Sequence, residues 1–174
     1  MNGRIETRVL TGADAREHLD ALSEVLMSCV HGGASVNFML PFPKTESDAF
    51  WARAIAAVEA GDAVLVASFL DGRLVGTGQL GLDTPPNQPH RADVKKMLVH
   101  QDARRRGIGA AVLDRLETEA RSRGVTLLTL DTASDAAERL YGRGGFLRAG
   151  VIPGYALLPQ GGFCDTVLYY KSLG

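Results

Sequence analysis

Near its middle the chain passes from a short apolar run, Met97-Leu98-Val99, through Arg104-Arg105-Arg106-Gly107-Ile108-Gly109, into an apolar repeat at helical spacing: Ile108, Val112, Leu116 and Ala120, with Leu113 beside them. A strand, a tight basic loop with two close glycines and a helix start constrain the fold, because the loop must set the helix N-terminus against the strand end. The same arrangement attracts anions. First-turn N–H groups lack intrahelical partners, and the macrodipole adds positive potential there. Gly107 and Gly109 permit close approach of a phosphate, and Arg104, Arg105 and Arg106 supply long-range attraction. A dinucleotide fingerprint, G-x-G-x-x-G, is broken because Val112 stands where its third glycine belongs. A P-loop fails as well, since no G-K-[ST] follows.

Residues 5–10 read as a first strand. Leu19, Leu22, Val25, Leu26 and Cys29 then recur at helical spacing, predicting a helix over 13–30 that stops at His31-Gly32-Gly33. Pro41 and Pro43 keep the next stretch extended or looped, and Thr45-x-x-Asp48 reads as a capping box opening a helix through Phe50, Ile55 and Val58. Runs at 63–69 and 74–82 flank Asp71-Gly72, a strong hairpin signal. Residues 83–89 form a polar, proline-rich connection. A strand at 93–99 leads to the glycine loop and its helix, which runs to about residue 123. A strand at 125–130 ends at Asp131, a short helix covers 135–142, and strands at 146–152 and 166–171 close the chain. The order β-α-α-β-β-β-α-β-α-β-β is α+β, because three consecutive strands precede the loop helix. No repeat, low-complexity tract or linker interrupts it, so a single domain over 1–174 is expected.

A formal net charge of −1 argues against a broad basic face, so no nucleic-acid partner is expected; the triple arginine is local. No run of about 18 apolar residues exists to span a membrane. Residues 1–6 lack the apolar core of a signal peptide, which makes the cytoplasm the expected location. Cys29 and Cys164 are too few and too distant for a disulfide framework or a metal site, and no metal is expected. Cys29 falls on the first helix stripe and packs as a small hydrophobe. Neither cysteine has a base placed for a covalent acyl-enzyme.

The spacing R-x-x-G-x-G with Met97-Leu98-Val99 upstream is similar to the pyrophosphate loop of the GNAT superfamily, the acetyl-coenzyme-A-dependent N-acetyltransferases. Leu140-Tyr141-Gly-Arg-Gly-Gly-Phe146 resembles the superfamily's L-Y-x-x-x-G-F signature, and the element order matches throughout. The resemblance implies a mixed, mostly antiparallel sheet of about seven strands with helices on both faces. It implies acetyl-coenzyme A (acetyl-CoA) as cosubstrate. Backbone groups of Met97 and Val99 would meet its pantetheine arm, N–H groups from Arg104 to Ala110, with Ile108 among them, would hold the pyrophosphate, and Leu98 or Val99 would donate to the oxyanion. Ser134 stands at a cofactor-contact position where many such chains carry asparagine. Tyr141 would face the coenzyme sulfur as the acid.

A more specific likeness lies in Val30-His31-Gly32-Gly33-Ala34-Ser35-Val36-Asn37-Phe38-Met39, Arg91-Ala-Asp-Val94, Leu130-Asp131-Thr132 and Pro153-Gly154-Tyr155. Together with the ending Tyr169-Tyr170-Lys171-Ser-Leu-Gly174, these are similar to the tabtoxin-resistance acetyltransferases, which acetylate the amino group of a β-lactam amino-acid toxin. That resemblance implies a small-molecule amine, with His31, Asn37, Asp93 and Asp131 around it. The chain is expected to be a monomer or homodimer, with the choice left open by the sequence. Its pattern has glutamate where this chain has Asp93, which draws the carboxylate back by about 1.5 Å. An alkyl amine, with a pKa of about 10.4, arrives charged and needs such a carboxylate to take its proton. Two rivals stand: acetylation of a protein or peptide amine, and a non-catalytic acyl-coenzyme-A sensor. The sensor could dispense with Tyr141 and the carboxylates.

Overall fold

A computed structural model describes residues 3–174. The first two residues of the segment read above for a signal peptide lie outside the described residues. Seven strands form one sheet in the order β1-β2-β3-β4-β5-β7-β6. They are β1 (Ile5–Leu10), β2 (Ala63–Leu70), β3 (Arg73–Gly81), β4 (Arg91–Val99), β5 (Leu127–Thr132), β6 (Leu147–Leu157) and β7 (Phe163–Ser172). Every pairing is antiparallel except β4 with β5. β2 and β3 are buried almost throughout, which suits runs such as Ala63-Val64-Leu65-Val66-Ala67 at the middle of a sheet covered on both sides. Asp71 and Gly72 both take positive φ, 50° and 85°, as the two-residue turn between β2 and β3 requires.

Five helices cover the two faces: α1 (Gly12–Glu17), α2 (Leu19–His31), α3 (Lys44–Ala60), α4 (Ile108–Ser122) and α5 (Asp135–Arg143). On one face α4 and α5 bury Val112, Leu116, Ala120 and Tyr141 against Val66, Leu80, Val94, Leu128 and Val167. On the other, α1, α2 and α3 bury Leu22, Leu26, Trp51 and Ile55 against Leu65, Ala67, Phe69 and Leu98. No helix among the described residues is long and apolar enough to cross a membrane.

Two local expectations are corrected. The helix predicted over 13–30 is two helices that meet at His18, whose φ of −100° and ψ of 13° end α1 and start α2. Thr11 and Asp14 close a capping box on α1 alone, and the apolar stripe beginning at Leu19 belongs to α2. The capping box read at Thr45 does not form. Pro43 takes the extended entry position and α3 starts at Lys44. The Asp48 carboxylate accepts instead from Lys44 Nζ at 2.8 Å and from the Ser23 hydroxyl. The closing strands also run longer than predicted, because β6 continues through an irregularity at Pro153-Gly154 to stay paired with β7.

Candidate active site

β4 and β5 share only three residue pairs, Arg91 with Leu127, Ala92 with Leu128 and Asp93 with Thr129. Beyond them the strands part, and β5 continues beside β7. The gap is shaped by a bulge in β4. Thr77 pairs with Leu98 and Gln79 with Lys95, so Lys96 and Met97 both stand opposite Gly78. Lys96 takes φ of 52°, a left-handed conformation that costs a non-glycine residue about 1–2 kcal/mol. Gly78 leaves room for its neighbours: a Cβ there would lie 2.7 Å from the Met97 sulfur and from Val112, and 2.8 Å from Leu116.

Ladder alternation fixes which amides face the gap. His100 N–H donates to the Val75 carbonyl at 2.8 Å, so Val99 and Gly76 form a non-hydrogen-bonded pair and Val99 turns its amide away from β3. Val99's carbonyl accepts from Arg104 Nε at 3.3 Å and from the Cys29 thiol at 3.4 Å. The backbone of Leu98, expected among the cofactor contacts, pairs with Thr77, and its side chain is buried among the α2 and α3 residues. Between the two oxyanion donors proposed from sequence, the register favours Val99.

At the far end of β4 the loop is pinned from behind. Arg73 reaches Asp102 at 2.8 Å and Glu24 at 3.0 Å, while Ala103 and Ile108 are buried with Val75. Arg105 takes φ of 60° and Gly107 takes φ of 83°. No side chain caps α4 and its first turn holds no acid, so the N–H groups of Ile108, Gly109 and Ala110 are left to a ligand. A phosphate group fits this cradle. The two glycines serve different ends. Gly107 has open space around its missing Cβ and is required by its φ, whereas a Cβ on Gly109 would lie 3.2 Å from Leu140. Gly109 therefore sets how closely α4 packs on α5. Gly107→Ala is expected to weaken acetyl-CoA binding roughly 5- to 30-fold, as about 1–2 kcal/mol of backbone strain would produce, with titration calorimetry as the measurement. Unchanged affinity would mean that the loop does not hold the pyrophosphate in this conformation.

The two carboxylates expected to share the amine differ in their engagement. Asp93 lies in the paired part of the strands, bonded to the Arg91 guanidinium and accepting from the Thr129 hydroxyl at 2.6 Å. Asp131 stands two residues beyond Thr129, on the same face and roughly 7 Å further along the strand. It is exposed and accepts from the Thr166 hydroxyl at 2.8 Å. Tyr141 of α5 is 5% exposed and packs against Phe146 and Tyr169. Burial, with Asp131's charge adding to it, pushes its hydroxyl well above the usual tyrosine range. The phenol is therefore protonated at any physiological pH, as an acid must be.

The remaining sequence candidates are His31, Asn37 and Ser134. His31 ends α2 and lines a groove of about 570 Å³ with Glu24, Ser28, His100 and Gln101; neither Asp93 nor Asp131 lines it. Asn37 is exposed at φ of 76°, a conformation asparagine tolerates, beside Phe38. Ser134 is the N-cap of α5, its hydroxyl accepting from Ala137 N–H at 3.2 Å. Lys96 was not singled out from sequence. Its ammonium lies 5.9 Å from the Phe38 ring centre and 5.8 Å from that of Phe50, on the side of the sheet covered by α2 and α3. The signal was there: two lysines between Val94 and Met97 break the period of two and mark an inserted residue.

A profile of the Acetyltransferase (GNAT) family matches residues 33–146, from the loop after α2 to the end of the L-Y-x-x-x-G-F stretch. The chain belongs to the GNAT acetyltransferase family. An IAA acetyltransferase from Azospirillum brasilense is 35% identical over 99 residues. That match covers 56% of this chain and 63% of the relative, so it spans less than two thirds of the relative's length. An N-acetyltransferase from Staphylococcus aureus Mu50 superposes with a TM-score of 0.81 at 19% identity, covering 98% of this chain and 99% of its own. A Salmonella typhimurium protein solved with its cofactor acetyl-CoA gives 0.79 at 20% identity, with 98% and 94% covered. At these identities the structural likeness is one of fold, and the seven-stranded mixed sheet with helices on both faces is that of this GNAT chain's neighbours.

Proposed function

We propose that this GNAT protein is an acetyl-CoA-dependent N-acetyltransferase acting on the amine of a small molecule by direct attack in a ternary complex. The reading is supported by the reach of Asp131's charge to Tyr141, beside strands β4 and β5 that part after three pairs and a helix α4 that starts uncapped. The N–H groups at the start of α4 and the arginines of the loop hold the pyrophosphate. Met97 offers its backbone groups to the pantetheine arm, and Val99, whose carbonyl is already taken by Arg104 and Cys29, gives its N–H to the carbonyl oxygen as it gains charge. Asp131 orients the acceptor and takes the proton the amine must lose. The amine nitrogen forms its bond to the acetyl carbon while the carbon–sulfur bond breaks, and Tyr141 O–H gives its proton to the departing thiolate. Asp93 holds Arg91 and Thr129 at the closed end of the gap. Because Cys29 is buried and its thiol is pushed up by loss of water, it is a poor nucleophile, in keeping with direct attack.

The likeness of the His31 segment, Asp131 and the chain's ending to the tabtoxin-resistance enzymes supports a small acceptor, possessing an amino-acid or β-lactam framework, in the cytoplasm. Thiol release from acetyl-CoA tests this across amino-acid β-lactams, dipeptides, polyamines, aminoglycosides, IAA and short peptides, with a blank lacking acceptor. Turnover on amino-acid or β-lactam amines is the expected result. Turnover on peptides alone would move the acceptor to a protein terminus or lysine. Tight acetyl-CoA binding with no thiol release anywhere would make the protein a sensor.

A further inference from the structure

We infer that the bulge of β4 carries a subsite for the acceptor's carboxylate, anchored by Lys96, so that the acceptor is an amino-acid-like molecule bearing both an amine and a carboxylate. The inference rests on the acetyl-transfer reading above. It begins with a charge left without a partner. Lys96 makes no hydrogen bond or ion pair among the described residues, and its ammonium is held over Phe38 and Phe50 by a backbone in the left-handed region. A strand lysine that only needed water would alternate outward from a regular ladder. Here the inserted residue turns the lysine onto an aromatic wall formed by Phe38, Phe42 and Phe50, whose rings stack edge to face and tilted at 4.7–5.5 Å.

The groups beside it are also short of partners. Thr77 and Gln79 flank Gly78, the residue opposite Lys96, and Thr77 shares its face of the sheet with Leu98, on the side of α2 and α3. Thr77 is 0% and Gln79 is 4% exposed, and Thr77 Oγ1 and Gln79 Nε2 have no hydrogen-bond partner among the described residues. An ammonium, an amide N–H and a hydroxyl around one bulge are the donor set of an anion site. The charged groups felt by Lys96 are Lys95, which repels it, and Asp131, which attracts it. Asp131 is near enough to act on both Lys96 and Tyr141, yet it makes no direct ion pair with the lysine. Two opposite charges separated in this way match a zwitterion, with its amine on Asp131 and its carboxylate on Lys96. Removal of water from the ammonium, with Lys95 beside it, lowers its pKa, and a bound carboxylate would return the missing countercharge.

The test compares each amino acid with its own carboxamide as acceptor. Wild type should prefer the acid roughly 10- to 100-fold in kcat/KM, carried mainly by the acceptor KM. Lys96→Met should collapse that preference to below about threefold, and Lys96→Arg should restore part of it. No preference in wild type, or an equal loss on acid and amide in Lys96→Met, would overturn the subsite while leaving acetyl transfer standing. If no amine is acetylated, the functional reading fails, and a second measurement judges the subsite alone. In protein labelled with carbon-13 lysine the candidates are Lys44, Lys95, Lys96 and Lys171, and Lys96→Met assigns the signal of interest. Glycine and N-acetylglycine, but not glycinamide, should shift the Lys96 side-chain resonance. A resonance that ignores all three would overturn the proposal.

Discussion

Replacing Tyr141 with phenylalanine is expected to lower kcat by about 10²- to 10³-fold while leaving the affinity for acetyl-CoA unchanged. The ring stays where it is, packed 5.7 Å from Phe146 and 6.2 Å from Tyr169 between centres, so the helix keeps its contacts. What is lost is one hydroxyl that makes no hydrogen bond among the described residues. The melting temperature should therefore barely move, which separates a chemical effect from a folding one. Because burial and Asp131 raise the phenol's pKa, wild type should show no alkaline loss of activity from this group up to pH 10. A fall of less than about threefold in the variant would remove Tyr141 from the proton pathway.

The second large effect is expected at Asp131. Asp131→Asn should cost about 10²-fold or more at pH 7, because the amide cannot take the amine's proton. The sign of the pH response distinguishes this from lost binding. Below a pKa near 10.4, the free base of an alkyl acceptor becomes about tenfold more available for each unit by which the pH rises. The variant's rate should climb steeply from pH 7 to 10 and narrow its deficit against wild type. Asp93→Asn should behave differently. Its carboxylate is already bonded to Arg91 and Thr129, and its side chain is 46% exposed, so the loss is mostly of stability and no more than about 1 kcal/mol. Kinetic losses of equal size in the two variants would return Asp93 to the amine.

Much of this architecture was legible because each signal was local. Asp71-Gly72, the strand–loop–helix around Gly107 and the apolar stripe of α4 each depend on neighbours a few residues away. Pro43 displaced Thr45 as the start of α3, and His18 split one predicted helix into two, because competing caps only a few residues apart look alike in sequence. The site was harder to read. That Leu98 and Val99 turn opposite ways follows from the phase of the β3–β4 ladder, which the bulge at Lys96 resets. The different engagement of Asp93 and Asp131 follows from the point at which two strands cease to pair. Neither is encoded by spacing along one segment. Ser134 and Gly109 show the converse: each was read for a ligand, and each has a structural duty in capping or packing α5.

The short junction between β4 and β5 has a mechanical consequence. The core beneath α4 and α5 includes residues from both sides of it, whereas the core beneath α1, α2 and α3 draws only on residues up to Leu98. The ribbon β5-β7-β6 is thus fastened on one face, along three residue pairs, like a hinged leaf. Its free face is latched to the loop after α2 by Leu40 N–H on the Pro159 carbonyl at 3.0 Å and by the Cys164 thiol at 3.6 Å from the Ser35 hydroxyl. A molecule straddling the junction acts as a splint, and at a hundred times its Kd it would stabilise the closed leaf by about 2.7 kcal/mol.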